Sequence, residues 1–457
     1  MSPSHPSTKQ VALSPGNSKF KDEGNLIVKF LPVVVLASVC RGLSLFARYN
    51  YYHQWPAHSS SRRFNTWLHM GEIVLKVDMW AMAVSILVSF ISVGWWGALG
   101  DRRGRKCVLS ISILGGLLRD LIYLAVAQTE FKEHGAVVAT VIEGLLGGYA
   151  TFAGVAHAYI SDVSTSPVSR TLNFCLLHAV TFFAFRFGAI VGYAARYNLM
   201  PIKAAFGGSV FLASSNLLYI HMLLPESSTP PPAELKPERI PKVGKRSSLE
   251  SVTSPVAIFF RSSLRRSRFI CLALFAYSAS LAYGVKLEAL LASMNQSIVS
   301  TSGSEELPQC RHLVFIVPAA LSSFQATEHN DDTEFAGFLF AKTVALCSIA
   351  LALLAIFLGE WAWYSLWVLF KLPYPLSFFL YPLSVAALPA LYSVAASVTP
   401  LEHGGLFGSL SVWVSLGECV SYYVAGDGAQ SLDYWGWAIT VLVLSLVSLA
   451  AQDPPVL

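Results

Sequence analysis

The sequence predicts an all-α integral membrane protein built as two six-helix bundles, with about twelve membrane-spanning helices. Three observations predict it. Only 13% of the 457 residues are charged and 54% are hydrophobic, whereas a soluble globular protein carries about 25% charged residues. Long apolar runs recur along the whole chain, among them Leu31 to Val39, Met79 to Trp96 and Ala438 to Ala451. A bilayer-spanning helix needs roughly 20 mostly apolar residues, and the runs fall into six, a polar stretch, and six again. One large soluble core would need charged surface that this sequence lacks.

Taken in order, residues 1–26 are polar, rich in Ser and Pro, and carry Lys9, Lys19 and Lys21. They read as a disordered cytoplasmic tail, not as a cleaved signal peptide. Apolar spans follow at about 27–47, 78–99, 107–127, 135–160, 171–195 and 203–224, which makes 27–224 the first bundle. The stretch 225–268 holds Pro230 to Pro232 and a run of Lys and Arg, and reads as a cytoplasmic linker. The second bundle, 269–451, places spans at about 269–294, 312–325, 335–358, 374–398, 405–426 and 434–451, before a short cytoplasmic tail at 452–457. Its second span is short and broken by Pro318, and Trp361 to Lys371 is apolar without a clear role. Region 295–335 therefore reads either as an atypical re-entrant segment or as a mistranslated or mis-spliced stretch.

The net charge of +5 is small and uneven. Lys and Arg crowd the N-terminal tail, the loop Arg102 to Lys106 and the linker, which orients the chain with its N-terminus inside. That pattern is membrane topology, not a nucleic-acid footprint. It fails in the second half, where Glu328 to Glu334 is acidic on the side assigned to the cytoplasm. The seven cysteines show no CxxC or metal-ligand spacing, so no metal and no cofactor is expected. HExxH, GxSxG and the P-loop are all lacking, and no enzyme is expected. Asn295-Gln296-Ser297 is an N-glycosylation sequon on an expected outer loop.

Between the second and third spans stands Gly97-Ala98-Leu99-Gly100-Asp101-Arg102-Arg103-Gly104-Arg105-Lys106. Gly97 and Gly104 allow close helix approach and a tight turn. Asp101 can accept hydrogen bonds from arginines and from a helix N-terminus. Arg102, Arg105 and Lys106 hold the loop inside and can pair with acidic partners. A generic basic loop would explain the Arg and Lys, but not Gly and Asp at fixed offsets. The run resembles the signature loop of the major facilitator superfamily, G-x-L-x-D-R-x-G-R-K, at every defining position. The resemblance implies two parallel six-helix repeats and a loop that latches the halves together in the outward-open state.

A second block runs from Glu143-Gly144-Leu145-Leu146-Gly147-Gly148 through Ala158-Tyr159-Ile160-Ser161-Asp162 to Arg170. It resembles the solute-carrier branch that includes the proton-coupled folate transporter, and fungal proteins similar to it. Pro400 to Gly408 and Leu224-Pro225-Glu226-Ser227 extend that likeness. Two departures stand out. Glu143 occupies the place where many major facilitators carry an arginine four residues before a glycine. The antiporter signature G-P-x-x-G-G is degraded to Gly188-Ala189-Ile190-Val191-Gly192-Tyr193, which weakens an antiporter reading.

Ionisable groups inside spans are costly, so each is a functional candidate. Arg119, Asp120, Glu143, Arg186, Lys286, Glu288 and Glu418 fall in the middle layers, with Arg41 further out. A carboxyl in a low-dielectric site can bind and release a proton near neutral pH. The proton-coupling candidates are therefore Glu143 first, then Glu418 and Asp120. Arg119, Arg186 and Lys286 are candidates for an anionic substrate group. Each has a structural alternative: Glu143 can simply pair with Arg119 or Arg186, and buried pairs need not stabilise a fold. His157 reads as a packed or interfacial histidine.

These residues and the resemblance together imply a secondary transporter working by alternating access, coupled to protons and specific for a small organic solute. The expected partners are that solute, protons and the lipid bilayer, with no nucleic acid and a monomeric state. The plasma membrane and a vacuolar or endosomal membrane both fit. Drug or metabolite efflux, and a non-transporting sensor on the same scaffold, remain open beside it.

Overall fold

The computed structural model describes residues 16–53, 66–126, 132–164, 166–194, 201–227, 265–280, 334–364, 380, 384–398, 403–427 and 433–451. Among these the structure is helical, with no strand. Lys286, Glu288, Asn295, the expected span 312–325 and most of the linker lie outside the described residues.

The first helices are α1 (Gly16–His53), α2 (Thr66–Arg103), α3 (Arg105–Val126), α4 (Lys132–Leu145), α5 (Gly148–Val163), α6 (Pro167–Ala194) and α7 (Ile202–Leu223). The later ones are α8 (Arg265–Ser280), α9 (Glu334–Tyr364), α10 (Ala387–Val398), α11 (His403–Asp427) and α12 (Asp433–Ala450). Among the described residues, seven helical segments are long and apolar enough to cross a membrane, including Gly24–Leu45 and Phe335–Leu358. Their outer faces expose Leu87, Ile91, Phe187, Phe211, Met222 and Phe357. Apolar contact area of that kind suits lipid, not water.

Helix limits differ from the expected ones for local reasons. Helix α1 begins at Gly16, inside the stretch expected to be a disordered tail. The span expected at 135–160 is two helices, α4 and α5, with left-handed backbone at Gly147 between them and at Gly148, the first residue of α5. At the break α2 donates to two carbonyls at the end of α4, one of which, Gly144 O, also accepts the Gly147 N–H at 3.0 Å. Ser92 Oγ donates to Gly144 O at 2.7 Å, and Trp96 Nε1 donates to Leu145 O at 2.9 Å. Buried carbonyls without donors would be costly, so these side chains fix α2 against the break.

Helix α1 packs on α6 and α7, and α3 on α4, α5 and α7. On the other side α8 packs on α10, α11 and α12, and α9 on α10 and α12. The two sets meet where α11 lies against α2 and α5, and where α10 and α9 lie against α6. At Gly154 of α5 an added Cβ would stand 2.6 Å from the Gly408 Cα of α11. The backbones touch there, which is how small residues let helices approach inside a bilayer.

Candidate functional site

The loop Gly97 to Lys106 is built between the end of α2 and the start of α3, with Gly104 alone between them. Its φ of +103° is a conformation that L side chains rarely adopt. The turn throws the N-terminus of α3 against Glu226, which accepts the Arg105 N–H at 2.6 Å and the Lys106 N–H at 3.3 Å. A carboxylate is well suited to those unbonded N–H groups and to the positive end of the helix. Lys106 Nζ reaches the carbonyl of His221 at the end of α7, at 3.0 Å.

Arg105 is the centre of the loop. Its Nη1 stands 2.6 Å from Asp101 Oδ1 and its Nε 2.9 Å from Asp162 Oδ2, and the side chain is buried. Asp101 also accepts the backbone N–H groups of Gly404 at 3.1 Å and Gly405 at 3.2 Å. These lie in the first turn of α11, so one carboxylate joins a helix N-terminus in the later helices to an arginine in the earlier ones. Nearby, an added Cβ at Gly97 would come within 2.8 Å of Gly404 O. Arg102 and Arg103 point outward and are exposed.

A second group lies deeper, among α1, α3, α4 and α7. Arg119 donates from Nε to Asp120 at 2.8 Å, from Nη1 to Glu143 at 2.6 Å and from Nη2 to Ser44 Oγ at 2.9 Å. Ser44 donates onward to Asp120 at 2.6 Å, and Ser209 donates to the other Asp120 oxygen. Asp120 is fully buried, and Glu143 keeps 14% of its side chain exposed. One cation thus serves two carboxylates.

Between the two sets of helices, the Arg41 guanidinium of α1 sits 3.4 Å from the ring centre of Tyr149. Glu418 of α11 interacts electrostatically with Arg41 from the opposite side. Arg186 of α6 lies 5.4 Å from the Phe182 ring. His157 of α5 and His178 of α6 face each other with Nε2 atoms 2.9 Å apart. Tyr392 of α10 stacks on His157 at 3.9 Å between ring centres.

The candidates thus fall into three places. The loop residues Gly97, Asp101, Gly104, Arg105 and Lys106 come together with Asp162, Glu226, Gly404 and Gly405. Arg119, Asp120 and Glu143 form one network. Arg186 and Glu418 stand apart from it. Sequence reasoning gave no role to Ser44, Ser209, His178 or Tyr392, since small hydroxyls and lone aromatic residues carry no signal in an apolar span. Among the described residues there is no cluster of three or more metal-ligating side chains.

No family model matches the chain. It is 28% identical over 158 residues to a lysosomal proton-coupled steroid conjugate and bile acid symporter of Gallus gallus, covering 34% of this chain and 32% of the relative. An MFS-type transporter of Aspergillus versicolor is 30% identical over 129 residues, 28% of this chain and 25% of the relative. The chain therefore spans about a third or less of the length of these curated relatives. Solved structures match over nearly the whole chain. The human organic anion transporter MFSD10 (TETRAN) gives a TM-score of 0.64 at 17% identity, over 94% of this chain and 99% of that one. The Escherichia coli fucose:proton symporter gives 0.58 at 10% identity, over 94% and 99%. The chain has the major facilitator fold, and in sequence it resembles the proton-coupled solute-carrier branch and its fungal relatives.

Proposed function

We propose that this protein is a proton-coupled secondary transporter of a small organic solute, working by alternating access in the plasma membrane or in a vacuolar, endosomal or lysosomal membrane. The observation that carries the reading is the contact of Asp101 with Arg105 on one side and Gly404 and Gly405 on the other. It joins the two sets of helices through charge-assisted hydrogen bonds at the loop end of the molecule. Such a contact can break and re-form, as alternation between two rigid halves requires.

Coupling to protons draws on the deeper network. Arg119, Asp120 and Glu143 hold one positive and two negative charges in an apolar surround. One proton balances that count. Asp120 is filled by donors from Ser44, Ser209 and Arg119, so Glu143, with part of its surface open, is the member that takes it. Glu418, opposite Arg41, is the second coupling candidate. Arg119 is already held by two carboxylates, which leaves Arg186, beside Phe182, and Lys286 as the candidates for an anionic solute.

The test is flux in reconstituted vesicles with an imposed pH gradient, using a bile acid and a steroid conjugate as anionic probes and a neutral sugar as control. Acid-driven accumulation of an anionic probe is expected. Glu143→Gln should abolish pH-driven uptake and leave exchange of the same probe intact. Full pH-driven uptake in that variant ends the coupling role, and binding without flux turns the assignment to a sensor.

A further inference from the structure

Two imidazoles meet where the earlier and later helices close on each other, and their hydrogen bonds fix which nitrogens carry protons. His157 Nδ1 lies 2.7 Å from the carbonyl of Ala153, one turn back on α5. A carbonyl only accepts, so Nδ1 carries the proton, and in the neutral ring Nε2 is a bare acceptor. The Nε2 atom of His178 is 2.9 Å from that lone pair and must donate to it. His178 Nδ1 is then bare as well. Among the described residues no hydrogen bond reaches it, and His178 keeps part of its surface open whereas His157 is buried.

The pair sits under a lid from the later helices. Tyr392 of α10 stacks on His157 with rings 19° from parallel and lies 6.0 Å from His178. Phe407 of α11 and Phe174 of α6 close the other edges. Tyr392 is itself anchored to Ser411 of α11 at 3.1 Å between hydroxyls. On the neighbouring helices the charged groups are Arg105 and Asp162 at the loop end, Arg170 and Arg186 of α6, Arg41 of α1, and Glu418 of α11. Among the described residues, none of them acts electrostatically on either ring; His178 feels only His157.

We infer that His157 and His178 form a proton-binding site that opens the interface at the loop end of the molecule when it is loaded. This rests on the proton-coupled reading above and adds a second, separate proton acceptor to it. The first proton enters at His178 Nδ1, the bare lone pair on the less buried of the two rings, and breaks no hydrogen bond. It leaves an imidazolium against Tyr392 and the phenylalanines without a counter-ion, a charge that burial penalises. A second proton, on His157 Nε2, would set two N–H groups head to head at 2.9 Å. Both steps favour separation of α5 and α6 from α10 and α11, which lets water reach the charge. A state that binds protons poorly is depleted as pH falls, so acid shifts the protein from this closed conformation toward the one open at the loop end.

The experiment reads that shift without needing the solute. Ser397→Cys places a reporter on α10, where the wild-type hydroxyl is buried against Arg170 of α6. The reconstituted full chain is labelled with a membrane-impermeant maleimide sulfonate after equilibration at pH 7.5 or pH 5.5. Every label is scored against the same chain without the reporter and normalised for maleimide reactivity at each pH. Labelling should rise roughly five-fold or more at pH 5.5, consistent with typical coupling energies. His178→Gln, whose amide can still donate to His157, and His157→Gln should each flatten that response while reaching the wild-type level at pH 7.5. An undiminished acid response in both variants overturns the inference. If that response is instead lost in Glu143→Gln, the coupling reading stands and only the histidine site fails. A tautomer check is independent of folding defects in any variant: ¹⁵N spectra of histidine-labelled protein at neutral pH should show one Nδ1–H and one Nε2–H ring for this pair, and two Nε2–H rings would also overturn it.

Discussion

The carboxylate of Asp101 accepts a hydrogen bond from the backbone N–H of Gly404, across 303 positions of sequence. The same oxygen receives Arg105 Nη1 at 2.6 Å, so an ion pair across the turn from α2 to α3 and a cap on α11 share one atom. Asp101→Asn would keep the volume and remove the charge. Hydrogen bonds to charged groups are worth about 1.5–3 kcal/mol, so the closed state should lose about ten-fold or more in population against the open one. Hydrogen exchange at the first turn of α11 measures this directly. Faster exchange at Gly404 and Gly405 in the variant is expected, and equal rates would show that the contact does not hold the halves together.

Close backbone approach gives a second prediction. Gly154 meets the Gly408 backbone with no room for a Cβ of its own. In Gly154→Val the isopropyl group would have to displace the backbone of α11, because no flexible side chain stands in its way. The individual bundles should still fold, so expression and a single size-exclusion peak are expected. Vesicle uptake should drop at least about ten-fold, since a helix interface cannot re-form around an inserted side chain. The Ser397→Cys reporter should label at pH 7.5 as strongly as the parent reporter does at pH 5.5. Normal uptake in Gly154→Val would mean that this contact is not part of the working cycle.

What the sequence disclosed follows from how local each feature is. The loop Gly97 to Lys106 was legible because its residues share one turn and their spacing is itself the geometry. Its partner was not: the Pro400 to Gly408 block could be seen as family-like, but no periodicity says that Asp101 caps the helix that starts there. Arg119 was named as one of two possible partners for Glu143, and the structure selects it at 2.6 Å. The fourth span read as one helix because Leu145 to Tyr149 is apolar, and hydropathy is blind to the sign of φ at Gly147 and Gly148. His157 read as a packed histidine, since His178 is one helix away and nothing in either segment marks the pairing.

Arg119 and Glu143 differ in what their removal leaves behind. Taking away Arg119 strands Asp120 and Glu143 as two carboxylates in an apolar surround, and breaking a buried pair in this way costs about 3–5 kcal/mol. Arg119→Met should therefore lower the thermal unfolding midpoint in detergent sharply, or prevent folding. Glu143→Gln removes the surplus negative charge while Arg119 keeps Asp120 and Ser44. Its midpoint should stay close to that of the parent. The double variant Arg119→Met with Asp120→Asn removes a cation and an anion together, so it should recover much of the stability lost in Arg119→Met alone. Differential scanning fluorimetry of the four chains tests the set. Equal losses from Arg119→Met and Glu143→Gln would show that the triad acts as one indivisible structural ion cluster, with no member free to give up its charge.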